Sequence, residues 1–118
     1  MLNDANILIV EDEVLIALDI SMMLEEEGAS VVGPCADIQS ALAKTSKADA
    51  AILDVDLRGE DVFPVADSLH AAGTPFLFHT GRRDTDVLRA RYGTDVAIVE
   101  KPTTAETLLA TVSNLLRT

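Results

Sequence analysis

Four short apolar runs each end on a group that can do chemistry. Ile7–Val10 runs into Glu11-Asp12, Ala50–Leu53 into Asp54, Pro75–His79 into Thr80, and Val96–Val99 lies just before Lys101-Pro102. If each run is a strand of one sheet, a carboxylate, an acidic pair, a hydroxyl and one cation reach a common edge. These are the parts needed to move a phosphoryl group onto protein. Asp54 is the candidate nucleophile, since a carboxylate attacks phosphorus to give an acyl phosphate. Three carboxylates beside an incoming dianion repel it unless a cation neutralises them, and Mg²⁺, with its all-oxygen shell and retained waters, is the candidate. Asp12, Asp54 and the backbone carbonyl of Asp56 would contribute ligands, with Glu11 acting mainly through bound water. Lys101 is expected to pair with Asp54 in the resting site and with a phosphoryl oxygen in the filled one. Thr80 would donate its hydroxyl to another phosphoryl oxygen, while Gly81 leaves the approach open.

Taken singly, each residue has an ordinary structural reading. Acids near a helix start are favoured by its dipole, Asp54 can cap a strand end, Thr80 can serve a turn and Lys101 can be a solvated cation. Their joint placement at successive strand ends carries the functional reading. His79 is read as a strand residue and is assigned no chemistry.

The elements that must position this set follow from periodicity. After Ile7–Val10, residues Ile16, Ile20, Met23 and Leu24 recur at helical spacing up to Gly28. Ser30–Val32 reads as a weaker strand, followed by Asp37 as N-cap of a helix carrying Ile38, Ala41 and Leu42. Ala50–Leu53 is a third strand, and Val62, Val65, Ala66 and Leu69 form a helical stripe ending near Gly73. Pro75–His79 is a fourth strand, with proline where the missing amide matters least. Val87, Leu88 and Tyr92 mark a weaker helix before Gly93. After Val96–Val99, Thr103 and Glu106 fit a capping box, and Ala105, Leu108, Leu109, Val112, Leu115 and Leu116 form an apolar stripe. Five β/α units with mostly apolar strands predict an α/β fold, a doubly wound five-stranded parallel sheet of order 2-1-3-4-5. In that order the ligand crevice lies between strands one and three, where Glu11, Asp12 and Asp54 fall.

A length of 118 residues is read as a single domain over 1–118. Its balance of 48% apolar and 25% charged residues is that of a globular protein. A net charge of −11 disfavours direct binding to nucleic acid, whose partners need a basic face. The lone Cys35 permits no intrachain disulfide, and no stretch has the length of a signal peptide or membrane span, so a cytoplasmic, soluble protein is expected.

With these residues in view, the sequence resembles the receiver domain of two-component response regulators over essentially its whole length. The markers are Ile7–Glu13, Ile52–Leu57, Thr80-Gly81 and Lys101-Pro102. The resemblance implies the flavodoxin-like receiver fold and transfer of a phosphoryl group to Asp54 from the phosphohistidine of a sensor histidine kinase or histidine phosphotransfer protein. It also implies Mg²⁺ at Glu11 and Asp12, readout by Thr80 and Lys101, a cis Lys101-Pro102 bond and slow self-catalysed hydrolysis. Such a chain is a signalling module rather than a metabolic enzyme. Its output would pass to a downstream protein partner or a phosphorelay, and a patch on the fourth helix, fifth strand and fifth helix could pair two copies.

Two departures stand out. Leu57-Arg58-Gly59 has leucine and arginine where the family often has a proline before the glycine, which predicts a more mobile loop. Ile98 stands where many receivers carry the aromatic of a rotamer switch. Phe78, Thr80 and Gly81 resemble the FATGUY subclass of often free-standing receivers, from which His79 and Arg83 depart. Arg82 and Asp56, each two residues beyond Thr80 and Asp54, suggest an ion pair gating water. Two other readings compete. Asp54-Val55-Asp56 resembles the Asp-x-Asp of haloacid-dehalogenase-type phosphatases, and a pseudo-receiver would bind partners without phosphorylation.

Overall fold

A computed structural model describes residues 2–81 and 85–117. Its elements run β1 (Asn6–Val10), α1 (Val14–Glu26), β2 (Ser30–Cys35), α2 (Ile38–Leu42), a 3₁₀ turn (Thr45–Lys47) and β3 (Ala50–Leu53). A small hairpin follows, β4 (Asp56–Leu57) and β5 (Glu60–Asp61), then α3 (Phe63–Ala71), β6 (Phe76–Thr80), α4 (Asp86–Tyr92), β7 (Ala97–Glu100) and α5 (Ala105–Leu116). The main sheet is parallel, in the order β2-β1-β3-β6-β7. With the hairpin set aside this is the expected 2-1-3-4-5 order.

Strand parity divides the core. Leu8, Val10, Ala51, Leu53, Phe76 and Phe78 point to one side, against Val65, Ala66 and Leu69 of α3 and Leu88 of α4. Ile7, Ile9, Ala50, Ile52, Leu77 and Val99 point to the other, against Ile20 and Leu24 of α1 and Leu108 and Val112 of α5. Both faces of each central strand are therefore buried, which is why these strands read as continuous apolar runs. Tyr92 of α4 joins an aromatic cluster with Phe63, His70, Phe76 and Phe78 at centroid separations of 5.4–6.5 Å. Its hydroxyl donates to Asp67 at 2.7 Å, and Arg91 pairs with the same carboxylate at 2.8 Å, tying α4 to α3.

Several local expectations shift. β2 extends beyond Val32 to Cys35, through a cis Gly33-Pro34 bond. β6 and β7 each start one residue later than expected and end on Thr80 and Glu100. The N-cap of α5 is Thr104, not Thr103: Thr104 has extended backbone, and its hydroxyl accepts from Thr107 N–H at 3.0 Å. The capping box of Thr103 with Glu106 therefore does not form. Ala105 and Val87 are exposed rather than on their helices' buried stripes, while Asp37 caps α2 as expected, accepting from Ser40 N–H at 2.8 Å. The segment after Asp54 carries structure of its own. Asp56 pairs with Asp61 and Leu57 with Glu60, Leu57 is buried, and the turn is made by Arg58 and Gly59 at φ 50° and 85°. None of the described helices is long and apolar enough to cross a membrane.

Candidate functional site

The β1–α1 and β3–β4 junctions bring the acids together. β1 and β3 are neighbours in register, Val10 beside Leu53, so the residues that follow them, Glu11 and Asp54, leave the sheet side by side. Two backbone bonds hold them there. Glu11 N–H donates to Cys35 C=O and Asp54 N–H to Val10 C=O, both at 2.9 Å. The extended β2 thus has a task in the site. Gly33 at φ 92° makes its bend possible, where a Cβ would stand 2.8 Å from Cys35 N.

One carboxylate oxygen from each of Glu11, Asp12 and Asp54 lies within 4.8 Å of the other two, an all-oxygen set that could hold a metal ion. Glu11 is only 3% exposed and Asp54 8%. The Lys101 ammonium lies between them, 2.9 Å from Glu11 Oε1 and 3.2 Å from Asp54 Oδ2. The expected pairing with Asp54 is present, and Glu11 is a second and closer partner. The other Glu11 oxygen accepts from Glu13 N–H at 3.1 Å, and Asp12 Oδ2 accepts from Arg58 N–H at 2.9 Å, which fastens the hairpin turn to the acidic pair. Neither backbone donor is visible to motif reading, because any residue type supplies it.

Electrostatics follow from this crowding. Burial, and next the charge of Glu11, push the Asp54 carboxyl up to about 7 against the pull of Lys101. Lys101 is raised because hydrogen bonds and charge from Glu11 and Asp54 outweigh its own burial. Burial and the neighbouring Glu11 together oppose the Asp54 anion despite Lys101, and a cation held by the three acids would favour it.

Thr80 ends β6, is buried, and accepts Lys101 N–H with its backbone carbonyl at 2.8 Å. The Lys101-Pro102 bond is cis. Asp56 is exposed on β4. Arg82 and Arg83 lie outside the described residues, and with them the proposed Arg82–Asp56 pair.

A family model described as the response regulator receiver domain matches residues 7–113. The chain belongs to the response regulator receiver family. Its sequence is 34% identical over 110 residues to the transcriptional regulatory protein PdtaR of Mycobacterium tuberculosis, covering 90% of this chain and 54% of that protein. It is 32% identical over 114 residues to the uncharacterized transcriptional regulatory protein YbdJ of Bacillus subtilis, covering 93% of this chain and 50% of that protein. The receiver thus spans about half the length of these relatives. Among solved structures, SdrG from Sphingomonas melonis matches with a TM-score of 0.81 and 39% identity over 98% of this chain and 99% of that one. A CheY-like receiver domain protein from Methanospirillum hungatei matches with a TM-score of 0.84 and 26% identity over 96% and 94%. Acceptance of a phosphoryl group is general to this family, and receivers act as signalling modules.

Proposed function

We propose that this receiver accepts a phosphoryl group on Asp54 from a phosphohistidine and hydrolyses it slowly, passing its signal through protein contacts or a phosphorelay. The observation that carries the reading is the buried Asp54 carboxylate, flanked by Glu11 and Asp12 and held by Lys101 at 3.2 Å. In the transfer, an Asp54 oxygen forms a bond to phosphorus as the N–P bond of the donor imidazole breaks. In hydrolysis, water attacks phosphorus, inorganic phosphate leaves and the carboxylate returns.

Asp12, Asp54 and the carbonyl of Asp56 would hold Mg²⁺, with Glu11 acting through water. When bound, the ion neutralises the acids and the transferring group, so that Asp54 reacts as its anion. Lys101 exchanges a carboxylate oxygen for a phosphoryl oxygen, and Thr80 donates its hydroxyl to another. Because Lys101 N–H is bonded to the Thr80 carbonyl, the two readers move as neighbours of one loop junction.

The start of α1 offers the donor a surface. Val14 and Leu15, just beyond the acidic pair and Glu13, are 75% and 76% exposed, and Leu18 and Met22 continue the row. Large apolar side chains exposed beside an acceptor suit a protein donor better than a small phosphate ester.

Intact mass after incubation with acetyl phosphate or phosphoramidate tests the reading. Wild type should gain one phosphoryl group only with Mg²⁺, and Asp54→Asn none. No gain in wild type, under conditions that trap short-lived adducts, would overturn it in favour of the pseudo-receiver. Steady turnover of a phosphomonoester would favour the phosphatase.

A further inference from the structure

On the α1/α5 side of the sheet lies a groove that phosphoryl chemistry leaves unused. β6 alternates, so His79 faces the same way as Leu77, and Leu77 packs in the core against α1 and α5. His79 lines a groove of about 790 Å³ between α1 and the start of α5, walled by Ile16, Ile20, Met22, Met23, Pro102 and Leu108. His79 is only 5% exposed, and neither Nδ1 nor Nε2 has a hydrogen-bond partner among the described residues. Buried polar atoms are nearly always paired, so an orphaned ring beside an open groove points to a partner from outside the chain.

We propose that this groove binds a small neutral ligand made of an apolar ring and one hydroxyl, with the hydroxyl paired to the His79 imidazole. The volume lies within the range of small-molecule sites, and the walls are mostly aliphatic. Burial, reinforced by the charge of Lys101, holds the ring neutral, and a neutral imidazole offers one donor and one acceptor, as a hydroxyl does. Charge excludes an anion. Asp19 and Glu26 line the groove, and the one cation among its described lining residues, Lys101, is already matched by Glu11 and Asp54. The ring nitrogens are buried, so a guest reaches them only as the wall gives way, and the unbranched Met22 and Met23 side chains that line the groove can re-pack to admit it.

Titrations of the ¹⁵N-labelled, metal-free chain with phenol and with toluene test this without reference to phosphorylation. In wild type, phenol should shift the amides of Ile16, Ile20, Met23 and Leu108 saturably and bind roughly three- to tenfold tighter than toluene, the worth of one buried hydrogen bond. His79→Leu should keep toluene binding and erase the phenol preference, while His79→Asn, which retains a donor and an acceptor, should keep it. Ala105→Trp, at an exposed position on the groove wall, should weaken both probes and does not depend on the core tolerating a change at His79. Equal binding of phenol and toluene to wild type would overturn the proposal, leaving His79 to water. Absence of saturable shifts at the groove amides would overturn it as well.

Discussion

Replacing Asp54 by asparagine should stabilise the metal-free protein, and the gain should depend on pH. In the folded chain the carboxyl is pushed from 3.8 up to about 7, chiefly by burial and by Glu11. The native state therefore holds a proton that the unfolded chain has released, so stability falls as pH rises between those values. About three units at ~1.4 kcal/mol each set a ceiling of ~4 kcal/mol. Solvent screening and relaxation of Glu11 and Lys101 in the wild type lower the expected gain to about 1–3 kcal/mol. Asparagine is a neutral near-isostere, so variant and wild type should be nearly equal below about pH 4, with the gap opening through neutrality and levelling off above about pH 8. Urea denaturation with a chelator present, repeated across this range, measures the gap as a change in midpoint at constant slope. Excess Mg²⁺ should then stabilise wild type alone and narrow it. A gap that stays constant with pH, or a wild type that is the more stable at high pH, would refute the reasoning.

Other perturbations probe the supports of the site. Lys101→Met should leave Glu11 and Asp54 facing each other without a cation, raising the Asp54 midpoint above about 7 in a carboxyl ¹³C titration and slowing phosphorylation. Gly33→Ala forces a positive φ on alanine and drives its Cβ to 2.8 Å from Cys35 N, so thermal unfolding should report a loss of roughly 2–3 kcal/mol. Thr104→Ala should cost about 1 kcal/mol in the same assay, and Thr103→Ala less than half as much. The reverse order would restore the capping box on Thr103.

Much of the architecture was legible because two periodicities rarely conflict here. The apolar runs at Ile7–Val10 and Ala50–Leu53 are bounded by acids, and the stripes of α1, α3 and α5 recur at helical spacing, so element order and sheet topology could be read directly. The weaker readings fail where local signals tie. Thr103 and Thr104 are both competent caps, and only the folded backbone, extended at Thr104, decides which one accepts from the helix. The Asp56–Asp61 hairpin escaped notice because two-residue strands carry no periodicity. The cis Gly33-Pro34 bond inside β2 had its residues in plain view, but no local rule selects the isomer.

The sequence by itself determined which chemistry is available: the carboxylates, hydroxyl and lysine stand at the ends of apolar runs or within two residues of them, and a parallel sheet must carry such positions to one edge. Only the tertiary structure decided how they are shared. Lys101 lies nearer Glu11 than Asp54, the Arg58 amide holds Asp12, and the Cys35 carbonyl holds Glu11. The physical reason is that these are contacts between residues distant along the chain, several made by backbone groups that every residue possesses. His79 shows the same division. Its place in a strand was evident, but its lack of a partner among the described residues, beside an open groove, is a property of the packed α1 and α5 helices, not of any motif.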